Sequence, residues 1–197
     1  MKLSTNQVLA KLKTTDFSYL DKPGKNKGAR GQLLEVALGL ENNNDLQDLT
    51  DGEIKTFTMG QSIAVTSLAH CLPDIIDGSL EFEESKVGIK MSQTVYVGFS
   101  KDNEYLGSKV VNEDLDPVHY YHLAEDYGYI SAEIKRTYVA EDVLHTITGP
   151  NKLLQIRTKA TKDKHGNYTP LCYNGVVLKD KYMAFYLTGE FGKGVLK

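Results

Sequence analysis

The chain has 197 residues, 41% apolar and 25% charged, with a net charge of −3, which suits one ordinary globular core over 1–197. No apolar run approaches the roughly 20 residues that cross a bilayer, and Met1-Lys2-Leu3-Ser4 leads into a polar, lysine-bearing segment without a secretory pattern. Cys71 and Cys172 are too few for a disulfide framework or a zinc cluster, so free thiols, a cytoplasmic location and no membrane partner are expected.

Ser4 followed by Gln7 forms a capping box that predicts a short helix over 5–12. A loop rich in breakers and cations follows at Asp21–Gly28. Gly31–Gly39 is apolar-periodic, with Leu34, Ala37 and Leu38 at i, i+3, i+4 and Gly39 as the stop. Asp51-Gly52 is a hairpin signal. Glu53–Thr58 reads as a strand of period two that puts Glu53 and Lys55 on one face. Further strands are predicted at 94–100, 105–111, 153–158 and 183–187, and helices at 117–127 and 131–144, a mixture that implies an α/β core.

Charge is unevenly spread. Residues 1–30 carry seven basic against two acidic side chains, and 151–197 carry nine against three, so the middle of the chain sums to −14. Basic ends around an acidic centre suit a protein that grips a phosphate backbone while carboxylates hold cations; solvated surfaces produce the same pattern by chance.

Phosphodiester hydrolysis needs a positioned water, charge relief at the non-bridging oxygens and help for the leaving oxygen. Carboxylates holding Mg²⁺, with a lysine beside them, supply these. The minimal pattern is an Asp followed, across a hairpin, by Glu-x-Lys, and Asp48, Glu53 and Lys55 fit it with Glu35 upstream. A second match, Asp126 with Glu133-Ile134-Lys135, falls on a helix face, where Glu133 and Lys135 diverge. The five histidines show no nucleophile or metal spacing, and the 24–31 loop lacks the order of a phosphate-binding P-loop.

Lys27-Gly28-Ala29-Arg30-Gly31-Gln32-Leu33-Leu34-Glu35 resembles the first signature of MutH and the related GATC-cutting restriction endonucleases. Three later blocks follow in family order. They are Lys90–Val97 with its leading lysine, Leu153-Leu154-Gln155-Ile156-Arg157-Thr158-Lys159-Ala160, and Ala184–Leu187. The resemblance implies a restriction-endonuclease-like PD-(D/E)xK core, a mixed central sheet flanked by helices, and two lobes forming a DNA cleft. It implies a sequence-specific endonuclease for GATC or a related site, dependent on Mg²⁺ with Mn²⁺ as a substitute. Glu35, Asp48, Glu53, Lys55 and Lys90 would be catalytic, with Asp48, Glu53 and Glu35 as metal ligands. Lys27, Arg157, Lys159 and Tyr186 would contact double-stranded DNA, Tyr186 near the methylated adenine. A chain this small has one site, so cutting both strands predicts a homodimer on DNA or two successive nicks.

Two features depart from the family. The Asp48-to-Glu53 interval is short, which leaves Asp45 and Asp51 as alternative ligands. The tail 188–194 carries three glycines where the family has a helix, and glycine disfavours helices by about 1 kcal/mol each. Neither a helix nor regulation by the mismatch-repair activator MutL is expected there. The alternatives to a restriction enzyme are a MutL-recruited nickase on hemimethylated DNA and a non-catalytic DNA-binding module.

Overall fold

The computed structural model describes residues 2–18, 29–40, 48–78 and 81–197. Helices α1 (Thr5–Leu12) and α2 (Ala29–Leu38) precede β1 (Glu53–Thr58) and β2 (Ile63–Ser67). Short helical turns at Leu68–His70, Pro73–Asp77 and Phe82–Glu84 lead to α3 (Lys86–Met91), β3 (Thr94–Phe99) and β4 (Tyr105–Val111). A long α4 (Pro117–Val139), β5 (Ile147–Thr148), β6 (Leu154–Thr158), β7 (Leu171–Tyr173), β8 (Val176–Lys179), β9 (Met183–Leu187) and α5 (Gly189–Val195) complete the order.

Among the described residues the fold is α/β, with one mixed and two antiparallel sheets. The mixed sheet runs β1-β3-β4, parallel between β1 and β3 and antiparallel between β3 and β4. The second runs β2-β9-β6-β5, and β7-β8 is a separate hairpin. Period-two alternation sends opposite faces of the mixed sheet into different cores. Ile54, Val95, Val97, Phe99 and Val110 pack with Val8 and Leu12 of α1 and Leu34 and Leu38 of α2. Phe57, Tyr96 and Val111 join the larger core built from α4, α5 and the second sheet.

The capping box of α1 forms as expected, with the Ser4 and Gln7 side chains each accepting from the other's amide. Gly39 ends α2 as expected, with Gly39 and Leu40 amides donating back to Val36 and Glu35 carbonyls.

Four expectations need correction. Asp51-Gly52 makes no hairpin. Residues 49–52 close a tight turn, Leu49 N–H to Gly52 C=O at 2.9 Å, and β1 then pairs in parallel with β3. The helices expected at 117–127 and 131–144 are one helix, because buried Tyr127, Ile130 and Ile134 carry the apolar stripe past Gly128. It ends at Val139, five residues short of Leu144, whose amide donates to Leu178 instead. The glycine-bearing tail is a helix, capped by the Thr188 side chain, with Phe191 and Val195 buried in the main core. Its glycines allow close approach: a methyl group at Gly189 would lie 2.4 Å from the Gly60 carbonyl oxygen, and one at Gly194 3.0 Å from His119 Nε2. Among the described residues no helix is long and apolar enough to cross a membrane.

Candidate functional site

The first residue of β1, Glu53, is the centre of the site. It is only 4% exposed, a costly position for a carboxylate unless charges of opposite sign face it. Two do. Lys55, two residues on and therefore on the same strand face, places its Nζ 2.7 Å from Glu53 Oε1. Lys90, from the last turn of α3, places its Nζ 3.5 Å from the same oxygen. Glu53 Oε2 is buried and accepts no hydrogen bond.

The approach of α3 to β1 is fixed by the backbone. Thr94, the register partner of Glu53, donates its hydroxyl to the Lys90 carbonyl at 2.7 Å. At the head of β1, a methyl group on Gly52 would lie 2.2 Å from the Gln93 carbonyl oxygen. Only glycine lets the two segments pass this closely.

Asp48, in the turn before β1, accepts from the Ile54 amide and feels Glu53, Lys55 and Lys90. Burial first, and Glu53 second, push its carboxyl above the ordinary range. Glu35 of α2 is raised in the same way, by burial and then by Asp48, with Lys55 opposing and Glu53 adding. Because β1 is an edge strand, its unpaired side is open to groups from the 48–52 turn and from α2. Glu35, Asp48, Glu53, Lys55 and Lys90 therefore form one electrostatic group.

Asp51 belongs elsewhere. Its Oδ1 accepts from the Thr5 amide at 2.7 Å and the Thr5 hydroxyl at 2.9 Å, capping α1. Of the alternative aspartates, Asp48 alone among the described residues faces Glu53; Asp45 lies outside the described residues, as does Lys27.

Among the described residues no three His, Cys, Asp or Glu side chains stand in a ready coordinating group. The expected trio of Asp48, Glu53 and Glu35 is thus not drawn into one ligand set, because Glu53 Oε1 is turned to the two ammonium groups. The donor chemistry nevertheless fits a hard cation. Glu53 Oε2 is a buried acceptor without a donor, Asp48 is beside it, and Mg²⁺ fills its remaining positions with water and phosphate oxygens.

Two neighbours were not singled out in the sequence. Tyr96, the register partner of Lys55, is fully buried on the same face, and burial raises its phenol strongly. Arg30 donates to the Thr58 hydroxyl at 2.9 Å and to the Asn103 side chain, and lies over the Phe99 ring. It braces α2, and with it Glu35, against the mixed sheet.

A second group forms on the outward face of β6 and β9. Buried Leu154 and Ile156 point inward, so Gln155 and Arg157 point outward, and Tyr186 is the register partner of Gln155. The Arg157 guanidinium lies 4.1 Å from the centre of the Tyr186 ring. Lys159, one residue past β6, is exposed, and its amide donates to the Tyr182 carbonyl at 2.6 Å.

The decoy Asp126 is structural. It is fully buried and accepts from the Asn151, Leu153 and Leu154 amides at 2.7–2.8 Å, which fixes the turn into β6. No family model matches the chain, and no curated protein matches it.

Proposed function

We propose that the protein is a Mg²⁺-dependent DNA endonuclease of restriction type, with a PD-(D/E)xK core whose lobes form a DNA cleft. The observation that carries this reading is the convergence of Asp48, Glu53, Lys55 and Lys90 at the head of β1, with Glu35 in electrostatic reach. The sequence resemblance to MutH-like enzymes supports it.

Asp48 and Glu53 Oε2 are the groups that would hold the cation, with Glu35 adding negative charge. Bound Mg²⁺ would supply charge relief at the phosphate and at the leaving oxygen. Lys55, anchored by Glu53 Oε1, has donors left to orient the attacking water, since an ammonium group carries three. The phosphorus–oxygen bond to this water forms as the bond to the 3′ oxygen breaks; the water's proton is lost to solvent and the leaving 3′ oxygen takes a proton from solvent, leaving 5′-phosphate and 3′-hydroxyl ends. Lys90 shares Glu53 Oε1 and so holds that oxygen on the lysine side of the site. Arg157, stacked on Tyr186, and exposed Lys159 are suited to base edges and phosphates. One group of this kind per chain requires a second copy or a second event to cut both strands.

The test is cleavage of supercoiled plasmids in unmethylated, hemimethylated and fully methylated form, with Mg²⁺ and with chelator. Wild type is expected to cut with Mg²⁺ or Mn²⁺ only, and Lys55→Ala to lower the rate by about 10²–10⁴-fold. No cutting in any sequence context, or equal cutting by Lys55→Ala, removes the proposal.

A second reading, a nickase recruited by MutL, gains from α5, since the tail is helical. Nicking that requires MutL would select it.

A further inference from the structure

Beyond β6 the chain leaves the body of the protein. Residues 158–170 are all exposed except Thr161, so no apolar core orders them. They are ordered locally. Lys162 bridges to Tyr168, Asp163 N–H donates to Asn167 C=O at 2.7 Å, and the Thr169 amide donates to Thr161 at 3.2 Å. At the tip, Asp163 Oδ1 accepts from the His165 and Asn167 amides at 2.8 and 2.9 Å. The base is tied to the residue just before β9, the Lys159 amide donating to the Tyr182 carbonyl.

This arm carries Lys159, Lys162 and Lys164, and Lys181 meets it at its base. Asp163 is the one acidic residue on it, and its carboxylate serves the tip amides. Lys162 and Lys181 hold their ammonium groups 5.2 and 4.7 Å from the centre of one ring, that of Tyr168. The nearby carboxylate Asp180 faces Lys179 at 3.6 Å. Two like charges kept on a shared, exposed ring repel each other, and an array of anions relieves that repulsion. Because the arm is already shaped, binding pays little ordering entropy.

We infer that the 158–170 arm, with Lys162 and Lys181 flanking Tyr168, is a preformed clamp for phosphates of duplex DNA outside the catalytic group. The inference rests on the nuclease reading for the identity of the polyanion. Its position supports this: the arm continues directly from β6, which carries Arg157.

The test is anisotropy of a short labelled duplex without divalent metal, from about 50 to 300 mM KCl. K162Q/K181Q is expected to weaken binding about tenfold near 100 mM KCl and to flatten the salt slope by about 1.8, two phosphates at about 0.9 each. Tyr168→Leu, which keeps both charges, should weaken binding about threefold with the slope nearly unchanged. K101Q/K135Q, the same charge loss at exposed sites outside both basic ends, should leave the slope alone. A wild-type slope in K162Q/K181Q, an equal change in K101Q/K135Q, or no duplex binding by wild type overturns the clamp. Equal affinity for polyglutamate, lost with the same substitutions, overturns it in favour of an acidic protein partner. A shifted slope with no cleavage by wild type sinks the nuclease reading and keeps the clamp; vigorous cleavage with an unmoved slope sinks the clamp alone.

Discussion

Replacing either lysine that faces Glu53 should destabilise the fold, and Lys55 should cost more than Lys90. At an effective dielectric of about 20, a unit pair at the 2.7 Å of Lys55–Glu53 gains about 6 kcal/mol, and one at the 3.5 Å of Lys90–Glu53 about 5 kcal/mol. Desolvation of a carboxylate whose side chain alone is 6% exposed cancels most of this gross attraction. Removing one partner of a buried pair typically costs about 3–5 kcal/mol, but here the other ammonium group stays behind. Lys55→Met should therefore cost about 2 kcal/mol and Lys90→Met about 1 kcal/mol. Glu53→Met combined with Lys55→Met should recover much of the loss, giving a coupling energy of about 2 kcal/mol in a double-mutant cycle. Urea unfolding at neutral pH reads all of these. Additive effects within about 0.3 kcal/mol would show that the ion pair carries no stability, and the reasoning about the site's electrostatics would fail.

Asp48→Asn should abolish cleavage yet raise stability slightly at neutral pH, since the amide has no charge to desolvate beside Glu53. Its carboxyl is held above the ordinary 3.8 by burial and Glu53, so the folded state binds the proton more tightly. The ionisation penalty is present in full above the raised value and fades as pH falls through it towards 3.8; urea midpoints against pH should lose this component in Asp48→Asn. Gly52→Ala should cost about 3 kcal/mol in urea unfolding, because backbone rather than a flexible side chain blocks the methyl. Asp126→Asn should lower stability by about 3 kcal/mol, since three amides lose a charged acceptor in a fully buried position. Asp51→Ala should cost about 1 kcal/mol through loss of the α1 cap while cleavage persists; loss of cutting would return Asp51 to the list of ligands.

Much of the site was legible because strand periodicity alone puts Glu53 and Lys55 side by side, and their ion pair follows. The ends of α1, β1, β4 and β9 were equally readable, since each is bounded by caps or turn residues. The choice between Asp48 and Asp51 was not. It depends on Thr5, 46 residues away, claiming one of them, and no local pattern encodes such a contact. The Lys90 contribution is also tertiary, set by the α3–β3 connection. The β7-β8 hairpin, by contrast, announces itself through Asn174-Gly175 between strands, a signal that sequence reasoning should have taken. Strand β2 was missed because only three residues of the 63–67 run, Ile63 to Val65, alternate cleanly before Thr66 and Ser67 break the pattern.

Helix α5 has a final consequence. Seven residues are too few to nucleate a helix in water, and three of them are glycine. Its shape is therefore borrowed from the cavity that receives Phe191 and Val195, and it folds as a guest of its own protein. Amide hydrogens there should exchange by local undocking well before global unfolding, so the end of the chain reports on the integrity of the core beneath it.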